Sequence, residues 1–305
     1  KVYAVKHVLG DEPEVIVVAD DLKMPNGVTF FDGDLYVAEV ARILRWVDVE
    51  SRLGELIEPE IVADNLPTAK FHGWRYIGFG PDEKLYISIG SPCNVCNEPD
   101  TGLIMRMSAD GSGQEVFVSG VRNSVGFDWY PDTGEFWFTD NGRDMLGDDI
   151  PADELNIAPE KGLHFGYPFC HAGTIVEPDA ELAALGDCSE AVVPAILLGP
   201  HVAALGMRFY QGKSFPDEYH GQLFVAEHGS WNRSEKIGYR VSLVRIEDGR
   251  PVAYEPFVEG WLQDGETYGQ PVDIVIAPDG SLLVSDDRNG FVYRIFYSGA
   301  EERAE

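Results

Sequence analysis

Four short stretches of this chain carry side chains able to do chemistry, and three of them have a plainer reading beside the functional one. Phe71-His72-Gly73-Trp74-Arg75 places an imidazole directly ahead of a strand-like run, where it can accept a proton near neutral pH or serve as a hydrogen-bonded turn residue. Val121-Arg122-Asn123-Ser124 joins a fixed cation to an amide, a pair suited to carboxylate or carbonyl oxygens and equally to a salt bridge between elements. Thr139-Asp140-Asn141-Gly142-Arg143-Asp144, followed by Asp153-Glu154-Leu155-Asn156, supplies hard oxygen atoms on glycine-rich backbone, which calcium takes from loops. The ligand spacing is not that of an EF-hand, and solvated acidic loops are the even alternative. Glu227-His228-Gly229-Ser230-Trp231-Asn232-Arg233 crowds imidazole, indole, amide and guanidinium into one segment.

These residues need a scaffold, and the chain's internal repetition describes one. A unit recurs that consists of an inner segment, a turn with Asp and Gly or Pro, a second alternating strand and a third strand ending in Arg. Its copies begin near Asn26, Arg75, Asn123, Leu205 and Val272. Alternation of period two fits half-buried strands, and spacings of about 50 residues fit a four-stranded propeller blade. Length and period together predict a single all-β domain over 1–305, a six-bladed β-propeller of four-stranded antiparallel blades. Lys1-Val2-Tyr3-Ala4-Val5 is expected to join C-terminal strands and close the ring. A loop excursion is expected at about 140–195, where Gly, Asp, Pro and two Cys break the rhythm. In such a ring the residues just before the inner strands share one mouth, which makes Asn26, His72, Arg122, Asn123, His201 and Gln270 the candidate site.

Composition excludes some partners. Acidic residues number 52 against 23 basic, a net charge of −29, so polyanions such as nucleic acid are repelled. No apolar run is long enough to span a membrane as a helix. The four cysteines form a close pair, Cys93 and Cys96, and a wider one, Cys170 and Cys188. Two disulfides in an oxidising compartment, periplasmic or secreted, is the preferred reading. Half a zinc site or a redox motif fits less well, since Cys96 leads into the loop sequence Asn-Glu-Pro-Asp-Thr-Gly rather than a helix.

Taken together, F-H-G-W-R at 71–75, F-G-P-D-E-K-L-Y-I-S-I-G at 79–90, G-V-R-N-S-V-G at 120–126, D-E-L-N at 153–156, H-F-G-Y-P at 164–168, A-E-H-G-S-W-N-R at 226–233 and G-Q-P-V-D at 269–273 resemble the soluble pyrroloquinoline quinone (PQQ) dependent sugar dehydrogenases. The nearest branches are the sorbosone- and pyranose-dehydrogenase-like ones. The resemblance implies oxidation of an aldose or aldehyde by hydride transfer to the quinone. His72 would be the base and Arg122 would sit near the reactive carbonyl, with Asn123 on the cofactor. Calcium would rest on backbone oxygens of Gly142 and Arg143, and His228, Trp231 and Arg233 would belong to the cofactor cleft.

Two positions depart from the family pattern. Gln270 stands where relatives carry an Arg for a cofactor carboxylate, and Ser91 where glucose dehydrogenases carry Asp. Arg143, Arg233 or Lys236 could compensate for the lost charge. A calcium-dependent lactonase or esterase, and a non-catalytic propeller that binds a sugar or partner, are the competing functions.

Overall fold

The computed structural model describes residues 1–10, 12–55 and 57–299. The chain divides into two compact units, Lys1–Asn123 and the part from Ser124 onward.

The first unit opens with a two-stranded ribbon, β1 (Val2–Lys6) and β2 (Glu14–Ala19). Its first blade comprises β3 (Val28–Phe31), β4 (Asp34–Ala38), β5 (Ile43–Trp46) and β6 (Glu60–Ala63), paired in that order. Asp32 and Gly33 join β3 to β4 with φ of 49° and 88° while Phe31 pairs with Asp34. That is the two-residue hairpin with both central residues left-handed, for which Asp-Gly is a favoured sequence. The second blade is β7 (Ile77–Phe79), β8 (Leu85–Ile89), β9 (Leu103–Met107) and β10 (Glu115–Ser119). Leu85, Ile87 and Ile89 share one face of β8 by period-two alternation and pack with Tyr36, Ala38 and Ile43 of the first blade. Val37, Leu44 and Trp46 pack instead against Val2, Val18 and Ala19 of the ribbon.

The second unit holds three blade sheets. The first has β11 (Gly126–Trp129), β12 (Phe136–Asp140), β13 (Glu154–Ala158) and β16 (Ile196–Leu197), with a small ribbon of β14 (Cys170–His171) and β15 (Ile175–Val176) and the short helix α1 (Ala180–Ala183) between β13 and β16. The next is β17 (Ala204–Phe209), β18 (Leu223–Glu227), β19 (Arg240–Glu247) and β20 (Arg250–Val258). A ribbon of β21 (Leu262–Gln263) and β22 (Glu266–Thr267) leads to the last sheet, β23 (Pro271–Ile276), β24 (Leu282–Asp286) and β25 (Phe291–Ile295). Inner strands approach so closely that a Cβ on Gly126 would lie 2.0 Å from the Leu205 carbonyl oxygen. Only glycine fits there.

The chain is therefore an all-β propeller with five blades among the described residues, not the expected six. The five visible repeats are the five blade sheets. Length assigned to a sixth is used by the excursion in the third blade and by the N-terminal ribbon. β1 pairs with β2 rather than with C-terminal strands, and the last sheet has three strands. Within 140–195, Glu154–Ala158 is the third strand of its blade and pairs with β12, leaving irregular stretches at 141–153 and after Ala158.

Candidate functional site

In the first unit the turn before β7 raises His72 into view with φ of 47°, closed by the Gly73 N–H donating to the Lys70 carbonyl at 3.0 Å. Arg75, 2% exposed, braces that turn from below. Its guanidinium donates to the carbonyls of Val40 (3.0 Å), His72 (3.3 Å) and Pro67 (2.7 Å). His72 Nδ1 lies 2.8 Å from the Ser91 carbonyl oxygen. A carbonyl only accepts, so Nδ1 carries the proton and Nε2 keeps its lone pair. Burial and then the positive charge of Arg122 lower the pKa of His72 from 6.5 to about 3, against the opposing bond to Ser91. The ring is neutral at physiological pH.

Arg122 is 3% exposed, with Nε and Nη2 each 2.9 Å from Asn94, on the carbonyl and the side-chain oxygen respectively. Its own carbonyl accepts the Ser91 N–H at 2.8 Å. A Cβ added at Gly90 would meet His72 Cβ at 2.7 Å and Asn123 Oδ1 at 3.0 Å, so His72 and Asn123 flank that glycine. The structure brings His72, Arg122 and Asn123 together in the first unit. It adds Ser91, noted above only as a departure from the family pattern, and Asn94, to which no sequence motif points. Cys93 and Cys96 are disulfide-bonded around Asn94.

In the second unit the Gly142 N–H donates to Asp153 Oδ1 at 2.9 Å, and the Asn141 amide donates to the Ala204 carbonyl at 3.0 Å, fixing the turn that carries the Gly142 and Arg143 carbonyls. Arg143 is tied to both carboxylate oxygens of Glu177, which also meets His171 Nε2 at 2.8 Å. Burial alone would raise the Glu177 pKa, and the bonds from Arg143, the Asp179 N–H and His171 bring it below the usual carboxylate value. The Cys170–Cys188 disulfide closes the same excursion. Glu154 stands directly across from Asp140, and burial followed by the Asp140 charge pushes its pKa up to about 8.

His228 links two partners: Nδ1 is 3.2 Å from the Gln270 amide nitrogen, and Nε2 is 2.9 Å from Asp287 Oδ1. Trp231 is 68% exposed. Arg233 donates to the Asp148 carbonyl and reaches Asp149 at 3.4 Å, so neither it nor Arg143 is a spare cation in place of Gln270. Lys236 Nζ meets the neutral oxygens of Gly265 (3.0 Å) and Thr267 (3.2 Å). Glu227 is wholly buried on Arg240, Ser242 and Tyr254 and acts as core. His201 Nε2 donates to the Gly147 carbonyl at 3.0 Å. Its Nδ1 and both amide atoms of Asn232 are buried without a protein partner. Such orphaned donors and acceptors require an outside group or water.

No helix among the described residues is long and apolar enough to cross a membrane. The family model described as TrAA12-like matches residues 8–298. An uncharacterized protein of Borreliella burgdorferi is 36% identical over 300 residues, covering 93% of this chain and 78% of its own length. A pyrroloquinoline quinone-dependent pyranose dehydrogenase of Coprinopsis cinerea is 45% identical over 127 residues, 35% of this chain and 17% of that protein. The calcium structure of a Trichoderma reesei carbohydrate-active enzyme of family AA12 superposes with a TM-score of 0.78 at 19% identity, over 96% of this chain and 86% of the other. At that identity the likeness concerns the fold.

Proposed function

The chain belongs to the TrAA12-like family, and from that premise we propose that it is a sugar oxidoreductase that takes PQQ and calcium and oxidises an aldose or a sorbosone-type aldehyde. The observation that carries the reading is the His72 tautomer: Nδ1–H donates to Ser91 and Nε2 is left as a neutral acceptor. Bound quinone supplies the hydride acceptor, and calcium the Lewis acid that polarises it. His72 Nε2 takes the proton of the substrate hydroxyl. Departure of hydride acidifies that hydroxyl, so a weak neutral base suffices. Arg122 holds the oxygen that becomes the carbonyl.

The residues fit the cofactor's chemistry. Its carboxylate and carbonyl oxygens call for donors, and the buried Asn232 amide offers both a donor and an acceptor with no protein partner. We assign His228, Trp231, Gln270 and Lys236 of the second unit to hold it. Arg143 and Arg233 act by shaping their loops. Calcium is assigned to the Gly142 and Arg143 carbonyls, on the turn that Asp153 anchors. Two disulfides fit a secreted or periplasmic setting.

Reconstitution tests the reading. PQQ and calcium added together should give a bound-quinone spectrum and reduction of a dye with aldoses or aldehydes, and a chelator should lower the melting temperature. Hydrolysis of lactones or esters with calcium alone would replace this reading with a hydrolase. Failure of PQQ to bind would leave a non-catalytic propeller.

A further inference from the structure

We propose that Asn94, carried in the loop that the Cys93–Cys96 disulfide closes, is a positioning residue that aims the Arg122 guanidinium. An arginine side chain has several rotatable bonds, so one contact leaves its plane free to swing. Asn94 makes two, its carbonyl on Nε and its amide oxygen on Nη2, both at 2.9 Å. Two acceptors from one residue fix the plane of the guanidinium as a fork. They face the same way only while the backbone of Asn94 stays bent, and the covalent tie between Cys93 and Cys96 holds that bend. Ser91 couples the loop to the base. Its Oγ lies 3.4 and 3.5 Å from the two sulfurs, its N–H donates to the Arg122 carbonyl, and its carbonyl accepts the His72 Nδ1–H. One segment, 91–96, therefore orients both the cation and the imidazole.

The consequence for catalysis rests on the function proposed above; the geometry does not. Asn94→Ala removes one prong and should lower kcat by about tenfold, the size of one lost charge-assisted bond, with KM nearly unchanged. Asn94→Asp, which keeps an acceptor, should recover most of it. Reduction by a dithiol, which is itself oxidised to its disulfide as Cys93 and Cys96 become thiols, should act like Asn94→Ala and reverse on reoxidation. A Cys93→Ala/Cys96→Ala variant confines the effect to this pair.

The second readout is the His72 ring titration by NMR in the cofactor-free protein. The charges that face His72 are Arg122 and, through the His72 carbonyl, Arg75. Withdrawal of Arg122 should raise the His72 midpoint by about one pH unit in Asn94→Ala and in Cys93→Ala/Cys96→Ala, with the melting temperature of Asn94→Ala close to that of the parent. A shifted midpoint in a protein inactive with every sugar supports the positioning role and rejects the proposed function. An unchanged midpoint and unchanged kcat in Asn94→Ala and in Cys93→Ala/Cys96→Ala overturn the positioning role, whatever the activity.

Discussion

The Nδ1 atom of His72 lies 2.8 Å from the main-chain carbonyl of Ser91, and a side-chain carboxylate is not what orients this imidazole. A carbonyl fixes the tautomer without contributing a charge that would stabilise the protonated ring. Burial and then Arg122 outweigh the Ser91 bond and leave the pKa at about 3. Replacing His72 with Gln or Ala should cut turnover by about 10²- to 10⁴-fold while the quinone still binds. Single-turnover rates alongside a cofactor titration measure both, and undiminished turnover would dismiss His72 as the base. Folded His72 resists protonation, so between pH 6.5 and about 3 the unfolded chain binds the extra proton and stability falls as pH drops through that window. His72→Gln should flatten that part of the stability curve.

Glu154 predicts the opposite slope. Its pKa is raised from 4.5 to about 8, so across that range the folded state holds a proton that the unfolded state releases, and stability declines as pH rises. Glu154→Gln cannot ionise. Glu154 now accepts the Ala172 N–H and the Asn156 amide, and Asn156 can turn its unpartnered Oδ1 toward the new amide. The variant should outlast the parent above neutrality, by up to about 1.4 kcal/mol for each pH unit in that window. Urea titrations at pH 5 and 8 read the difference, and parallel pH profiles for the two proteins would refute the shift.

Local signals were legible where one residue type has one physical use. Asp32-Gly33 announced its hairpin, five repeats announced five sheets, and the ordered motifs of the family led to the group that the chain proves to belong to. The sixth blade was misread because an excursion inside the third blade has nearly the length of a blade. Asp-Glu-Leu-Asn reads as acidic loop, yet its alternation buries Leu155 on one face and Glu154 with Asn156 on the other. Asn94 and Ser91 act wholly or partly through backbone carbonyls, which every residue possesses, so neither had a signature. The Arg143–Glu177 pair closes across the excursion, and no local pattern announces it.

The Cys170–Cys188 disulfide spans 18 residues and closes the excursion that carries His171 and Glu177. Loop-closure entropy for that length predicts a loss of about 3 kcal/mol on replacing both cysteines with Ser. Calorimetry against the parent measures it. A loss near zero would mean that the buried Arg143–Glu177–His171 set holds the loop unaided.

Gln270 is the position where charge was expected and an amide is found. Its Nε2 donates to His228 Nδ1 at 3.2 Å, and His228 passes its own proton toward Asp287 at 2.9 Å, so the three residues form one directed chain. An arginine at 270 can keep the bond to His228 and still offer further N–H groups with a full charge. If this position faces a carboxylate of the proposed cofactor, Gln270→Arg should tighten quinone binding by about ten- to a hundredfold, the worth of one charge-assisted bond, and make that binding weaken with added salt. Titration of the calcium-loaded protein with PQQ at two salt concentrations reads both effects. Asp287 competes for the new charge, so Gln270→Arg with Asp287→Asn should bind at least as tightly as the single variant. Equal affinity for the parent and both variants, with no new salt dependence, would place Gln270 away from the cofactor carboxylates and reduce the His228 chain to a loop brace.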